Sequence, residues 1–172
     1  GGTYVGVTNK GAFIKPFSNE DQNIDASGCT ISLYDVTAQT NMWFLSTDTL
    51  TTMTLTVEGG SYTSNGVVVD NNTTYSVFGT DCVEISAPLT FTGVTVTSSG
   101  GACIEACGGT ATLTDCTFTV QEASNPAFTA SAVATSWEGV ANITSGTYAS
   151  AGYGAYVYSS GGTINVTGGT IT

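Results

Sequence analysis

Acidic side chains are the residues of this sequence that could most readily do chemistry, because glycoside hydrolysis needs two or three clustered carboxylates. No two aspartates are adjacent in the sequence, and solvated acids in turns are the simpler interpretation. We therefore predict no catalytic residue and no enzymatic activity. The carboxylates that are candidates for one face of the fold are Asp70, Asp81, Glu84, Glu105 and Asp115.

Metal coordination is the second chemistry that the acidic composition raises, since the net charge is −11. Asp70, Asn71 and Asn72 form an oxygen-rich triplet that could bind calcium, but such triplets usually cap turns. Cys103 and Cys107 are a lone C-x-x-x-C pair in a chain without His, and a zinc site needs further ligands. We predict no metal site and no cofactor.

Positive charge is confined to two lysines, Lys10 and Lys15, and the chain has no Arg. Nucleic-acid binding is excluded because phosphate contacts need a basic face. Anionic membranes and acidic polymers would be repelled on the same grounds. No run of residues reaches the roughly 18 apolar positions of a membrane span.

Cysteines are the third set of reactive residues, and their number is odd. If the compartment is oxidising, one thiol is left free or pairs between chains. Cys103 and Cys107 would lie roughly 13 Å apart in an extended strand, too far to bond without a bend. The other pairings stay open. The disulfide candidates are Cys29, Cys82, Cys103, Cys107 and Cys116.

Two further sets of side chains point towards carbohydrate. Candidate N-glycosylation sites occur in Asn-x-Ser/Thr sequences at Asn71, Asn72, Asn142 and Asn165,. Asn142 and Asn165 share a position in a repeated unit, so a stacked Asn ladder explains them equally well. The aromatic residues that are candidates for glycan contact are Trp137, Tyr153 and Tyr158.

A repeated unit supplies the elements that must position these residues. Residues 142–148, Asn-Ile-Thr-Ser-Gly-Thr-Tyr, return almost unchanged at 165–171 as Asn-Val-Thr-Gly-Gly-Thr-Ile. Looser copies align on a Thr or Ser, with 22 to 34 residues between successive anchors, which is the range of solenoid repeats. The anchors are Thr3, Thr30, Ser61, Thr95, Thr117, Thr147 and Thr170.

Small residues precede each anchor and apolar residues flank them, as expected for a tight bend between two short strands. Each rung then buries its inward face only by stacking on a neighbour. The small-residue column is Gly28, Gly59, Gly93, Asp115, Ser145 and Gly168. The apolar column before the bend is Ala26, Val57, Phe91, Leu113, Ile143 and Val166. The closing column is Tyr4, Ile31, Tyr62, Val96, Phe118, Tyr148 and Ile171.

A third short strand is predicted after each unit. The candidates are residues 66–69, 102–106, 127–130 and 154–158, with Trp43-Phe44-Leu45 as an inward third strand of the second rung,. The sequence therefore predicts an all-β parallel β-helix (β-solenoid) of about six to seven irregular rungs, with three short strands per rung. We expect a single domain over residues 1–172, with degenerate N-terminal rungs at 1–50 and clearer repeats at 51–172.

Here the chain resembles the right-handed parallel β-helix proteins, the pectate-lyase-like superfamily, and especially repeat proteins of microbial cell surfaces. The residues that carry the resemblance are 59–62 (Gly-Gly-Ser-Tyr), 145–148 (Ser-Gly-Thr-Tyr) and 168–171 (Gly-Gly-Thr-Ile). The resemblance implies a right-handed coil. The family's lyases use Arg or Lys as the base, and with no Arg and both lysines near the start of the chain we expect no lyase activity.

Thr-x-Thr runs recur on the predicted strands, and alternation places their Thr side chains on one outward face. A stacked Thr array would suit an ice-binding solenoid, but uneven rung lengths argue against a lattice-matching face. The simpler explanation is that Thr is the preferred outward residue on a strand.

The ends of the sequence complete the functional expectation, because both fall inside the repeat without a capping helix,. Either the chain is a piece of a longer solenoid, or its end rungs pair with other subunits. The leading hypothesis is a non-enzymatic structural protein of the extracellular space, cell surface or cell envelope, self-assembling by strand-edge pairing into a fibre, sheath or surface layer. An adhesin or carbohydrate-binding stalk that contacts glycans or host surface proteins is the alternative. A glycoside-active enzyme fragment or an ice-binding solenoid comes third.

Overall fold

The computed structural model describes residues 2–5, 14, 28–40, 44–46, 53–64, 78–79, 88–99, 101–121, 130–157 and 161–172. Within these residues the protein is all-β, with eighteen strands in three parallel sheets and no helix. The predicted fold class, a parallel β-helix of about six to seven rungs with three short strands per rung, is confirmed.

The seven-stranded sheet contains, in spatial order, β1 (Gly2–Val5), β3 (Val36–Thr40), β6 (Ser61–Ser64), β9 (Thr95–Ser98), β12 (Cys116–Val120), β15 (Gly146–Ser150) and β18 (Thr170–Ile171). The six-stranded sheet contains β2 (Cys29–Tyr34), β5 (Met53–Glu58), β8 (Pro88–Thr92), β11 (Thr110–Thr114), β14 (Val140–Ile143) and β17 (Thr163–Val166). The five-stranded sheet contains β4 (Leu45–Ser46), β7 (Phe78–Gly79), β10 (Ile104–Cys107), β13 (Ser131–Ser136) and β16 (Tyr153–Val157).

Each rung takes one strand from each sheet in turn, as β11, β12 and β13 show. Every strand therefore runs in the same direction as its neighbours one rung away, which makes all the ladders parallel. The lengths of the connections differ between rungs, whereas the register between strands is continuous, as in the pairing of Thr110 to Thr114 with Pro88 to Thr92. The irregular spacing of the repeats therefore belongs to the loops.

Alternation along the strands decides which side chains form the core. In β8, Leu89 and Phe91 are buried while the Pro88, Thr90 and Thr92 between and beside them are exposed. Outward Thr and inward apolar residues were predicted from the Thr-x-Thr runs, and the burial pattern of the strands confirms this.

Two apolar columns run through the core from rung to rung. On the six-stranded sheet the column is Leu33, Val57, Phe91, Leu113, Ile143 and Val166. On the seven-stranded sheet it is Tyr4, Ala38, Tyr62, Val96, Phe118, Tyr148 and Ile171. The Phe118 ring meets the Tyr148 ring edge-on, with centroids 5.4 Å apart. Each fully buried large side chain in these columns contributes about 1.5–3 kcal/mol.

The bend between the two sheets uses a left-handed backbone at four successive rungs. Asp35, Gly59, Gly93 and Asp115 have φ of 50°, 63°, 63° and 53°. Gly and Asp are residues that reach this region at low energy, which explains the small-residue column. The bends are joined by backbone hydrogen bonds, since the Gly59 N–H donates to the Thr92 carbonyl and the Gly93 N–H to the Thr114 carbonyl, each at 2.9 Å.

The predicted alignment was wrong in the second repeat, by seven residues. Thr3 pairs with Thr37, and Thr37 with Ser61, so Thr37 is the anchor. Thr30 and Ile31 instead lie on β2, in the six-stranded sheet. Ala38 takes the place given to Ile31, Asp35 that given to Gly28, and Leu33 that given to Ala26, which lies outside the described residues. The Cys-Thr-Ile of 29–31 imitates the unit in sequence, and Gly28 has a positive φ of 76°, but Gly28 precedes β2 of the six-stranded sheet and does not join that sheet to the seven-stranded sheet.

Third strands are found in five rungs, and their positions partly match the prediction. Phe44 and Leu45 are buried beside β4, as expected for an inward strand. The predicted strands at 102–106 and 154–158 correspond to β10 and β16, each displaced by one or two residues. Of the strand expected at 127–130, residues 127–129 lie outside the described residues, as do residues 66–69 and Trp43, and β13 begins at Ser131. The division into 1–50 and 51–172 stays a prediction.

Candidate functional site

Two of the five candidate carboxylates lie within the described residues, and they sit in different places. Glu105 is partly buried on β10 and accepts a hydrogen bond from the Ser136 hydroxyl at 3.3 Å. Asp115 is exposed at the bend before β12 and accepts one from the Ser145 hydroxyl at 2.7 Å. Each carboxylate is therefore held by a serine of the next rung. Asp70, Asp81 and Glu84 lie outside the described residues, as does the Asp70-Asn71-Asn72 triplet.

Metal coordination finds no support in the part of the chain that the structure describes. No group of three or more His, Cys, Asp or Glu residues there is placed to hold an ion. The described residues likewise contain no helix that is long and apolar enough to cross a membrane.

The cysteines separate into buried and half-exposed thiols. Cys29, Cys103 and Cys116 are free; Cys29 is half-buried on β2, whereas Cys103 and Cys116 are buried. Burial raises the pKa of the Cys103 thiol to about 12, and burial also raises the pKa of Cys116. Both thiols donate weak hydrogen bonds to backbone carbonyls, such as Cys103 to Thr119 at 3.5 Å. Cys107 is buried at the end of β10, and Cys82 lies outside the described residues.

The two described sequon asparagines form a ladder. The Asn165 amide donates to the Asn142 side-chain carbonyl at 2.9 Å, across the pairing of β14 with β17. The following hydroxyls are also engaged, since Thr144 donates to the Leu113 carbonyl at 2.9 Å. The ladder interpretation is therefore confirmed, and glycosylation at either residue stays a prediction. Asn71 and Asn72 lie outside the described residues.

Two exposed aromatic side chains lie at opposite ends of adjacent strands of the five-stranded sheet, since Trp137 follows β13 and Tyr153 begins β16. Trp137 is 50% exposed and Tyr153 is 46% exposed, and the Tyr153 ring stacks on Tyr156 with centroids 4.8 Å apart. Trp137 and Glu138 have φ of 47° and 64°, and the Gly139 N–H donates to the Ser136 carbonyl at 2.9 Å. This is a type I′ turn without the usual Asn or Gly. Tyr158 lies outside the described residues.

The two end rungs, whose pairing the sequence predicts, keep several apolar side chains exposed. Val157, Val166 and Tyr4 are 44%, 50% and 44% exposed, although they continue columns that are closed in the middle of the protein. Ile164 and Ile171 are half-buried for the same reason. Among the described residues, β1, β2, β16, β17 and β18 pair along one edge only, whereas β4 is also bridged by Ile14. Val166 repeats Ile143 in sequence and differs from it in burial.

The comparisons with known proteins identify no relative. No family model, curated protein or solved structure matches this chain. Function therefore has to be argued from the end rungs and the outer faces of the solenoid.

Proposed function

We propose that this protein is a non-enzymatic structural subunit that stacks head to tail, by pairing of its end strands, into a fibre, sheath or surface layer outside the cell. The observation that carries the proposal is the match between the two end rungs. They carry the first and last members of the same columns, and on the six-stranded sheet a second copy placed one strand spacing beyond β17 would continue the columns in register.

The match can be followed residue by residue on the six-stranded sheet. Extending the internal register beyond β17 places Thr163 opposite Thr30, Ile164 opposite Ile31, Asn165 opposite Ser32 and Val166 opposite Leu33. Apolar side chains meet apolar ones and polar side chains meet polar ones at all four positions. Ile164, Val166 and Leu33 would then become as buried as the internal members of their columns.

The seven-stranded sheet has one strand more than the six-stranded sheet, so in this stack β1 of the second copy falls at the position of β18. β1 would displace the two-residue β18 from β15, which places Thr3 opposite Thr147 and Tyr4 opposite Tyr148. The half-exposed Tyr4 would thereby be buried. Each open ladder would also gain the backbone hydrogen bonds of a central strand, which is how a strand adds to an exposed sheet edge.

The end strands carry none of the usual protection against such pairing. Natural edge strands are blunted by charged residues, especially Lys, or by Pro. β1, β2, β16, β17 and β18 contain no charged residue and no Pro. Their sequences therefore permit addition of a further strand at both ends.

The net charge of −11 opposes association, because like-charged copies repel,. Salt screens this repulsion, with a Debye length of about 8 Å at physiological ionic strength. Assembly should therefore strengthen as ionic strength rises. This direction is the opposite of that expected for an interface held by ion pairs.

The extracellular location is supported by composition. Only 9% of residues are charged and the chain has no Arg and no His, which also supports a role other than polysaccharide cleavage. The likeness to pectate-lyase-like surface proteins, and the right-handed coil it implies, belong to this proposal.

Sedimentation velocity and negative-stain microscopy over a range of concentration and salt test the stacking. The wild-type protein should form filaments. Val166→Lys, which puts a charge in the open column, should stay monomeric, whereas Thr92→Lys, the same charge change at an exposed middle-rung position, should assemble like wild type. Wild-type protein that stays monomeric at high concentration and salt would overturn the proposal.

A second candidate, a glycan-binding adhesin, is favoured by the half-exposed Trp137 in its type I′ turn. Two consecutive non-glycine residues with positive φ each carry about 1–3 kcal/mol of strain, which often marks a functional position. Glycan-array binding that is lost in Trp137→Ala, with an unchanged unfolding curve, would support this function. An array without hits would remove it.

A further inference from the structure

The outer side of the seven-stranded sheet is a continuous surface of hydroxyl side chains, here called the hydroxyl face. Its first column pairs strand to strand without a break, and all members except the half-buried Ser61 are exposed. That column is Thr3, Thr37, Ser61, Thr95, Thr117, Thr147 and Thr170. A second column beside it is Val5, Gln39, Thr63, Thr97, Thr119 and Ala149.

The hydroxyl face is neutral on a strongly acidic protein. None of the seven strands contains a charged residue. The described acids lie on other strands, in turns, or at the bends that border this sheet: Asp35, Glu58, Glu105, Asp115 and Glu138. Of the three sheets as described, this is the one without a charged residue, so two copies would repel each other least across it,.

The side chains of the hydroxyl face favour a second copy of the chain over other classes of partner. It has no Lys or Arg to attract an anionic polymer, and no carboxylate to bind a cation or mineral surface. It presents no outward aromatic ring in the two columns on which a sugar could stack. A neutral β-surface with small outward side chains is suited to packing against another of the same kind, as in the dry interfaces between paired sheets.

We propose that the hydroxyl face packs against the hydroxyl face of a second copy in a neighbouring filament, so that filaments associate side by side into a sheet or bundle. The contact is isologous, with the same surface on both sides. This inference rests on the proposed head-to-tail stacking, because the hydroxyl face of a single copy is too small for a stable interface.

The area of the hydroxyl face sets the order of assembly. Seven strands about 4.8 Å apart and three to four residues of about 3.3 Å each give roughly 300–400 Å² per copy. A stable interface needs about 800 Å² per partner. One pair of chains therefore has too little area, whereas filaments of several copies exceed it, since linked contacts act together. Filaments must form first, and side-by-side packing follows once they are long enough.

The test uses two matched double variants and electron microscopy with light scattering at rising salt. Thr95→Glu with Thr147→Glu adds two charges to the first column, two strands apart. Thr54→Glu with Thr110→Glu adds the same two charges, also two strands apart and exposed, to the six-stranded sheet. Wild type and the second variant should form bundles, and the first variant should form single filaments of normal length with the bundle scattering lost.

The outcomes separate this inference from the stacking proposal. Wild-type filaments that never bundle, or a first variant that bundles like wild type, would overturn the role of the hydroxyl face and leave head-to-tail stacking intact. A wild type without filaments would overturn both. Wild-type protein that reshapes growing ice crystals, with this activity lost in the first variant, would assign the face to ice and overturn packing between copies.

Discussion

The middle and last rungs of this protein have nearly the same sequence pattern and very different surroundings. Ile143 and Val166 are consecutive members of one column, yet Ile143 is 0% exposed and Val166 is 50% exposed. Tyr148 and Ile171 are likewise consecutive members of one column on the seven-stranded sheet, and Tyr148 is buried whereas Ile171 is only half-buried. A solenoid residue is buried by the rung above and the rung below it. The difference in exposure therefore comes from position in the stack, with no change in residue chemistry.

The largest effect that tests this comparison is truncation within one column. Ile143→Ala should lower the free energy of unfolding by about 2–5 kcal/mol, because it leaves a cavity between two rungs. Val166→Ala should lower it by less than about 1 kcal/mol in dilute monomer, since half of the side chain already faces solvent. Urea denaturation of both variants measures the two values. Equal losses would mean that Val166 is covered by something other than a second copy.

A smaller effect should distinguish two glycines of the bends. At Gly146 (φ 113°), an added Cβ would collide with the Cys116 backbone carbonyl of the preceding rung, whereas at Gly93 (φ 63°) it would meet no atom within 4 Å. Gly93→Ala should therefore lower the free energy of unfolding by about 1–2 kcal/mol from backbone strain alone. Gly146→Ala adds the displacement of a neighbouring rung, for a further loss of about 1–3 kcal/mol.

The control for the bends is already present in the chain. Asp35 and Asp115 occupy the Gly93 position in other rungs, with φ of 50° and 53°. Gly93→Asp should therefore be tolerated better than Gly93→Ala, measured by the same urea curves. A larger loss for Gly93→Asp would contradict the assignment of this position to a left-handed bend.

The architecture could be predicted from the sequence because each residue type in the repeated unit has a definite structural role. Small residue, Thr and apolar closer recur together, and alternation then fixes which side chains face inward. The second repeat was misaligned because Thr30-Ile31 follows Gly28 and so imitates a bend. The bend of this rung is formed by Asp35. In other rungs the same position is occupied by Gly, so Asp35 was not recognised as part of the small-residue column.

The candidate site was less accessible to sequence reasoning, because it depends on neighbours. Asn142 and Asn165 could be recognised as a ladder, since they share a repeat position. The Thr-x-Thr runs predict a stacked Thr array, and uneven rung lengths argue against a lattice-matching, ice-binding face, which stays a prediction. The loops absorb the differences in rung length while Thr95, Thr117 and Thr147 remain paired in register. The exposure of Val166, in contrast, could not be predicted, because Val166 and Ile143 occupy the same position in the sequence repeat.

The smallest expected effect is a loss of stability in alkaline solution, caused by titratable groups buried in the core. Burial raises the pKa of Cys103 from 9.0 to about 12, so the folded protein keeps this thiol protonated where the unfolded chain loses its proton. The unfolded state then binds fewer protons, and stability is full below pH 9 and falls as pH rises towards 12. The contribution of one such group is about 1.4 kcal/mol per pH unit.

Cys103→Ala removes that contribution and isolates it from the other buried groups. Tyr62 also has its pKa raised to about 12, first by burial and then by the Asp35 carboxylate, so the wild type should lose stability at alkaline pH through several groups at once. Urea denaturation at pH 8, 9 and 10 should show a shallower decline in Cys103→Ala than in wild type, after subtraction of the packing loss measured at pH 7. Parallel declines would mean that the interior around Cys103 admits water, as the end rungs do, and the contrast between middle and end would then not extend to this part of the core.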